Sequence, residues 1–190
     1  MALTTLDDVL KYRLGNGEVL KTTPDQNDVL KSIIDSISTS IEKYCNRTFL
    51  STSYTEYYNG DGRSILYLKN YPIISITSIH EDDNWVWDSS TLISTSYYRT
   101  FDDLGIIFKD GTRLDTGRLN IKVVYVAGFT TIPSDIQNVA IVESIRMFDN
   151  MKTLNLSSRS ENNSTTSYII DGFLPKSKSV LNLYKLKDVV

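Results

Sequence analysis

TPDQNDVLKSIIDSISTSIEKYCN, residues 23–46, is the stretch that decides the fold class of this 190-residue chain. Thr23 is a good N-cap. Pro24 stands at the first helical position, where its missing N–H costs nothing, and Asp25 follows in the first turn beside the positive end of the helix dipole. Val29, Leu30, Ile33, Ile34, Ile37, Ile41, Tyr44 and Cys45 then recur at the 3.6-residue period of one helix face. Asp28, Lys31, Asp35, Ser38 and Glu42 fall on the other. The stretch predicts a long helix that packs one side and shows water the other.

Upstream, Thr4 or Thr5 can cap a short helix running through Leu14, with Asp7 and Asp8 in its first turn and Gly15-Asn16-Gly17 as its stop. Downstream, from Phe49 to Gly128, the period changes to that of strands. Ser53–Tyr58 and Ser64–Leu68 flank Asn59-Gly60-Asp61-Gly62, which reads as a hairpin turn. After Pro72 comes a run of isoleucines of which those at 74 and 76 alternate, with 79 following after Thr77 and Ser78. Asn84–Asp88, Ser96–Arg99 and Gly105–Phe108 read as further short strands, and Leu119, Ile121, Val123 and Tyr125 alternate onto one face of another. Abundant tyrosine, threonine and isoleucine suit half-buried pleated surfaces.

Helical spacing returns after Pro133, with Ile136, Val139, Ala140, Glu143, Ile145, Phe148 and Met151 along one helix. Residues 153–166 are rich in Ser, Asn and Thr without an apolar period, as a mobile linker would be. Pro175 opens a last helix offering Val180, Leu181, Tyr184 and Leu186. The expected fold is therefore α+β: long amphipathic helices near 24–46 and 133–152, a β-rich insertion at about 50–128 and a short C-terminal helix. No repeat of fixed period appears.

Composition narrows the function classes. A net charge of −3 argues against a protein that grips nucleic acid over much of its surface. The charge is uneven: between Pro175 and Val190, Lys176, Lys178, Lys185 and Lys187 face a single acid, Asp188. That leaves a basic tail on an acidic body. Apolar runs such as Val123–Ala127 are too short to span a bilayer. The N-terminal residues carry neither a basic nor an apolar signal region, so no signal peptide is expected. A single cysteine, Cys45, fits a reducing compartment and, at its helical spacing, a buried apolar role.

A credible active site is hard to compose. His80 is the only histidine and stands in a strand beside Glu81, Asp82 and Asp83, with no nucleophile elbow anywhere in the chain. One His and one Cys cannot close a zinc site. Asn59-Gly-Asp-Gly62 resembles the middle of a calcium loop, but Tyr57 and Leu68 then fall where carboxylates are required. Asp82-Asp83 and Asp102-Asp103 read as solvated turns. Gly15 and Gly17 lack the third glycine and the preceding strand of a dinucleotide fingerprint. Trp85 and Trp87, expected on one face of a strand among acids, are candidates for a partner contact. No catalytic residue, cofactor or metal site is expected.

Three stretches, in order, resemble the phage head–tail connector family, the adaptors that form a ring beneath the portal. The first is the helix just described, ending in Cys45-x-Arg47-x-Phe49. The second is Leu68-x-x-Tyr71-Pro72-Ile73-Ile74-Ser75-Ile76. The third is Val123-Val-Tyr-Val-Ala127-Gly128-Phe129 followed by Ile132-Pro133-Ser134-Asp135-Ile136. With the final Leu174-Pro175…Leu181-x-x-Tyr184, the resemblance covers nearly the whole chain. It implies a single connector domain over 1–152, a flexible polar linker over 153–173 and a C-terminal docking segment over 174–190. It also implies a structural virion protein, made in the host cytoplasm and placed in the neck, that assembles with itself into a roughly twelve-fold ring. Its partners would be the portal protein, a downstream neck or tail-completion protein, and DNA passing through the lumen without specific binding; no membrane partner is implied. A neck stopper or tail-completion protein is the alternative. Portal docking is expected from Leu174, Pro175, Lys176, Lys178, Leu181, Tyr184, Lys185 and Lys187. In place of the arginine pair usual in the family, this chain has Lys185 and Lys187.

Overall fold

A computed structural model describes residues 2–12, 21–151, 158–161, 164–167 and 172–186. The protein is α+β and divides into two compact units, Met1–Arg47 with Ile132–Lys185, and Thr48–Thr131 with Leu186–Val190.

The first unit is helical. Helix α1 spans Leu6–Lys11, capped by Thr5, whose hydroxyl accepts the Asp8 N–H in a reciprocal capping box. It is shorter than expected, because Tyr12 is already extended. Helix α2 spans Pro24–Cys45, with Thr23 and Gln26 forming a second capping box. It stops at Asn46, which takes the left-handed conformation that asparagine tolerates at helix ends (φ 51°). Leu30, Ile33, Ile34, Ile37, Ile41 and Cys45 are buried as the period predicted. Ser38, read as part of the polar face, is buried too. Its hydroxyl donates to the Ile34 carbonyl at 2.7 Å and accepts the Leu3 N–H at 2.9 Å, so a polar residue here ties the N-terminus to α2.

Helix α3, Ser134–Met151, buries Ile136, Val139, Ala140, Ile145 and Phe148 and packs on α2. The last helix, α4, spans Pro175–Tyr184 and packs on α2 and α3. Within the segment expected to be a linker, Ser158–Glu161 and Ser164–Ser167 pair antiparallel (named β7 and β8 after the strands of the second unit); its other residues up to 171 lie outside the described ones.

Among its described residues the second unit holds six strands in two antiparallel sheets. One is β1 (Thr52–Gly60), β6 (Gly117–Ala127) and β3 (Ile73–Glu81), with β6 central. The other is β2 (Ile65–Tyr67), β5 (Ile106–Lys109) and β4 (Tyr98–Phe101), with β5 central. They share one apolar core: Leu66 and Ile107 from the small sheet meet Ile73, Ile79, Ile121, Val123, Tyr125 and Ala127 from the large one. Alternation along β6 holds from Ile121 onward. Leu119 departs from it, exposed at a left-handed residue (φ 51°) that irregularises the strand's start.

The expected hairpin at Asn59–Gly62 does not form. β1 pairs with β6, more than fifty residues away, while β2 joins the other sheet through β5. The turn residues are used for packing across the unit instead. The Asn120 side chain accepts the Gly60 N–H at 2.8 Å and donates to the Asp115 carbonyl and the Asp83 carboxylate. Asn59 accepts the Leu119 N–H. A Cβ on Gly60 would lie 1.7 Å from the Asp115 oxygen, so glycine is required there by close approach rather than by a two-residue turn.

The strand expected at Asn84–Asp88 is also absent. Trp85 and Trp87 both adopt positive φ (58° and 56°), which breaks any pleat. The segment is a loop, and the two indoles do not share a strand face.

Candidate assembly surfaces

Two surfaces of the chain are built to present side chains rather than to enclose a pocket. The first is the C-terminal segment. Glu143 lies in the apolar row of α3 and is fully buried. Its carboxylate accepts the Leu174 N–H at 2.8 Å through one oxygen and the Arg146 Nε–H at 2.8 Å through the other. Arg146 then donates to the Gly172 carbonyl at 2.7 Å. One acid and one guanidinium, neighbours at i and i+3 on α3, thus clasp the residues that lead into α4. Pro175 occupies the first helical position, where no N–H is needed.

Further along, Leu181 is fully buried, worth about 1.5–3 kcal/mol of apolar burial. Tyr44 donates to Asn182 at 2.8 Å and meets Phe173 edge-on at 5.7 Å. The Tyr184 hydroxyl donates to the Asp135 carboxylate, 2.8–2.9 Å from its oxygens. Burial, reinforced by that bond, pushes the Tyr184 phenol up to about 12. The Cys45 thiol, buried beneath α4 and directed at the Leu181 carbonyl, is pushed up to about 11 by desolvation.

The predicted docking residues therefore separate by role. Leu174, Leu181 and Tyr184 anchor α4 to its own unit. Pro175, Lys176 and Lys178 are exposed, as is Lys185, whose ammonium sits 5.5 Å over the Tyr44 ring. Lys187 lies outside the described residues. Glu143, the residue that fixes the segment, was not singled out from sequence. The signal was present as the one acid in an otherwise apolar helical row.

The second surface is the loop after β3. The Asp82 carboxylate accepts the backbone N–H groups of Asn84 at 2.9 Å and Val86 at 2.6 Å. These bonds hold its carboxyl below the usual range, although burial acts against them. The result is a tip gathered around one carboxylate, on which Trp85 is 57% and Val86 64% exposed. Trp85 Nε1 donates to the Arg118 carbonyl, and Trp87 lies against Tyr57 with the Lys122 ammonium over its ring. Trp85 is thus the outward member of the pair and Trp87 the supporting one.

Of the residues weighed for chemistry, His80 and Glu81 are engaged in structure. His80 Nδ1 is 3.1 Å from the Thr91 hydroxyl. Glu81 pairs with Lys109 and accepts the Asp115 N–H. Glu56 accepts the hydroxyls of Tyr58 and Tyr125 and the amide of Asn70, and desolvation with these bonds pushes both phenols far up. Among the described residues no three His, Cys, Asp or Glu side chains are placed to hold a metal ion. No described helix is long and apolar enough to cross a membrane.

The family model for head completion proteins matches residues 2–186. The chain belongs to the head completion protein family. Its role is accordingly structural, in completing a virion head. No curated protein sequence matches it significantly. Among solved structures, it is similar to a chain in the neck of the empty gene transfer agent particle computed with C6 symmetry. The TM-score is 0.57 at 14% identity, over 97% of this chain and 88% of that one. A chain of the native gene transfer agent virion matches with TM-score 0.57 and 15% identity, over 97% and 89%. A chain in the neck of the native particle computed with C12 symmetry matches with TM-score 0.56 and 13% identity, over 90% and 95%. At these identities the likeness is one of fold. It corresponds to the connector resemblance read from the sequence, and the family's members are virion components.

Proposed function

We propose that this head completion protein is a non-enzymatic ring subunit of the virion neck. It contacts the portal, offers a platform to the next neck or tail protein, and surrounds a channel for DNA. The observation that carries this reading is the family match over residues 2–186, joined to the fold likeness with neck chains. The C12 symmetry of one of those necks supports a ring of roughly twelve copies here. The β unit, residues 48–131, carries ten acids against seven bases. An acidic lining lets a polyanion slide rather than stick.

Portal docking is assigned to the exposed lysines on one flank of the C-terminal segment, Lys178 and Lys185, continuing to Lys187. Deleting the segment from Leu174 is a poor test, because it strips Leu181 from the helical core and leaves Glu143 without the Leu174 N–H. Charge reversal of Lys178 and Lys185 to Glu spares those anchors. It should abolish co-migration with an acidic portal ring while the circular dichroism spectrum and melting temperature stay unchanged. Unaltered portal binding by that folded variant would refute the assignment. Trp85 and Val86 on their exposed tip are assigned to the second neck partner; Trp85→Ala should weaken that contact alone.

A further inference from the structure

The small sheet has an apolar outer face with no cover among the described residues. Its register sets Tyr67, Ile106 and Phe101 side by side in one row, and Ile65, Phe108 and Arg99 in the next. Leu66 and Ile107, one residue out of phase, point into the core. Tyr67 and Phe101 are 52% and 53% exposed, and Leu104, in the short 3-10 turn that follows β4, is 62% exposed. A contiguous patch of this kind marks an interaction surface. Its rim is acidic. Arg99 is paired with Asp110 at 2.8 Å, whereas Asp102 and Asp103 are exposed and make no ion pair among the described residues.

The chain carries the complement of this patch. Helix α4 has no acid between Pro175 and Tyr184, and Leu183 on it is 81% exposed, the most of any large apolar side chain described. Lys176 lies seven residues, about two turns, before Leu183 and so on the same stripe, with exposed Ser179 between them. Lys178 and Asn182 lie on the opposite flank of the helix. One flank is therefore basic and apolar, the other basic and polar.

We propose that within the ring the Leu183 flank of α4 in one copy docks on the outer face of the β2–β5–β4 sheet of the next copy. Leu183 covers Phe101, Leu104 and Tyr67, and Lys176 faces Asp102 and Asp103. The two patches differ, so the contact is heterologous and propagates head to tail until the ring closes. The Lys178 flank stays open to the portal. This inference rests on the ring reading and deepens it by naming the contact.

Two full-length variants, Phe101→Cys and Leu183→Cys, distinguished by a mass tag, are mixed at the highest soluble concentration and oxidised. Multimer formation is followed in parallel by light scattering. The native Cys45 is buried and contributes no background cross-link. The expected product is a mixed disulfide joining the thiol introduced at position 101 of one copy to that introduced at position 183 of another, in excess of either homodimer. Leu183→Asp should lower self-association roughly tenfold or more. Lys176→Glu should lower it by a smaller factor, which Asp102→Lys with Asp103→Lys in the same chain restores. Multimers without the mixed cross-link, or with equal homodimer yields, overturn the proposed contact and leave the ring standing. Absence of any multimer overturns the ring and the contact together.

Discussion

Glu143→Ala tests how the C-terminal segment is held. The substitution removes a fully buried carboxylate that accepts two hydrogen bonds, one from the Leu174 N–H and one from Arg146 Nε, each at 2.8 Å. The Arg146 side chain, only 20% exposed, loses this counter-charge while keeping its bond to the Gly172 carbonyl. Breaking a buried pair by deleting one partner costs about 3–5 kcal/mol. Taking a urea slope of about 2 kcal/mol/M, the midpoint falls by roughly 1.5–2.5 M. Glu143→Gln is the milder control: its carbonyl can still accept from Leu174, but an amide N–H then opposes the guanidinium. A loss of about 1–3 kcal/mol is expected from it. Hydrogen exchange locates the effect. Amides of residues 177–184 should lose protection before those of β6, because α4 is released first while the β unit keeps its own core. An alanine variant less than about 1 kcal/mol below wild type, or one with unchanged α4 protection, would refute the clasp.

Other perturbations separate packing from display. Gly60→Ala should destabilise the β unit by roughly 3 kcal/mol or more, read as a lowered melting temperature, since the new methyl group meets the Asp115 carbonyl. Asp82→Ala should leave the melting temperature nearly unchanged yet shift tryptophan emission to the red, as the loop loses the carboxylate that gathers the Asn84 and Val86 N–H groups. The Tyr184 phenol is raised to about 12 in the folded protein, so its contribution to stability is complete below its unfolded value near 10 and fades as pH climbs toward 12. Tyr184→Phe should therefore be less stable at neutral pH and lose less than wild type over that alkaline window in denaturant titrations. Cys45 should resist a thiol reagent in the native protein and react on unfolding, since it is buried with its pKa pushed up to about 11.

The sequence by itself determined the elements whose signals are local. Thr23, Pro24 and the apolar row from Leu30 to Cys45 specify α2 without reference to anything else, because caps and a 3.6-residue period are satisfied within a few turns. The same holds for α3, for most of the strand segments and for the family resemblance, which rests on their order. Tertiary structure decided what each element meets. Asn59–Gly62 carries every local mark of a hairpin, yet β1 gains more from pairing with β6, where Tyr54, Glu56 and Tyr58 face the same interior as Ile121, Val123 and Tyr125. Trp85 and Trp87 alternate like a strand in sequence, but one carboxylate at Asp82 collects the loop's N–H groups and turns both residues out of the pleat. Leu181 and Leu183 sit two residues apart in the same short helix with nothing in their chemistry to separate them. Only packing on α2 and α3, with Glu143 supplying a buried acceptor some thirty residues before Leu174, made one an anchor and left the other on display. Caps and periods are set by neighbours within a few residues, whereas strand pairing and buried polar partners depend on groups that only the folded chain brings together.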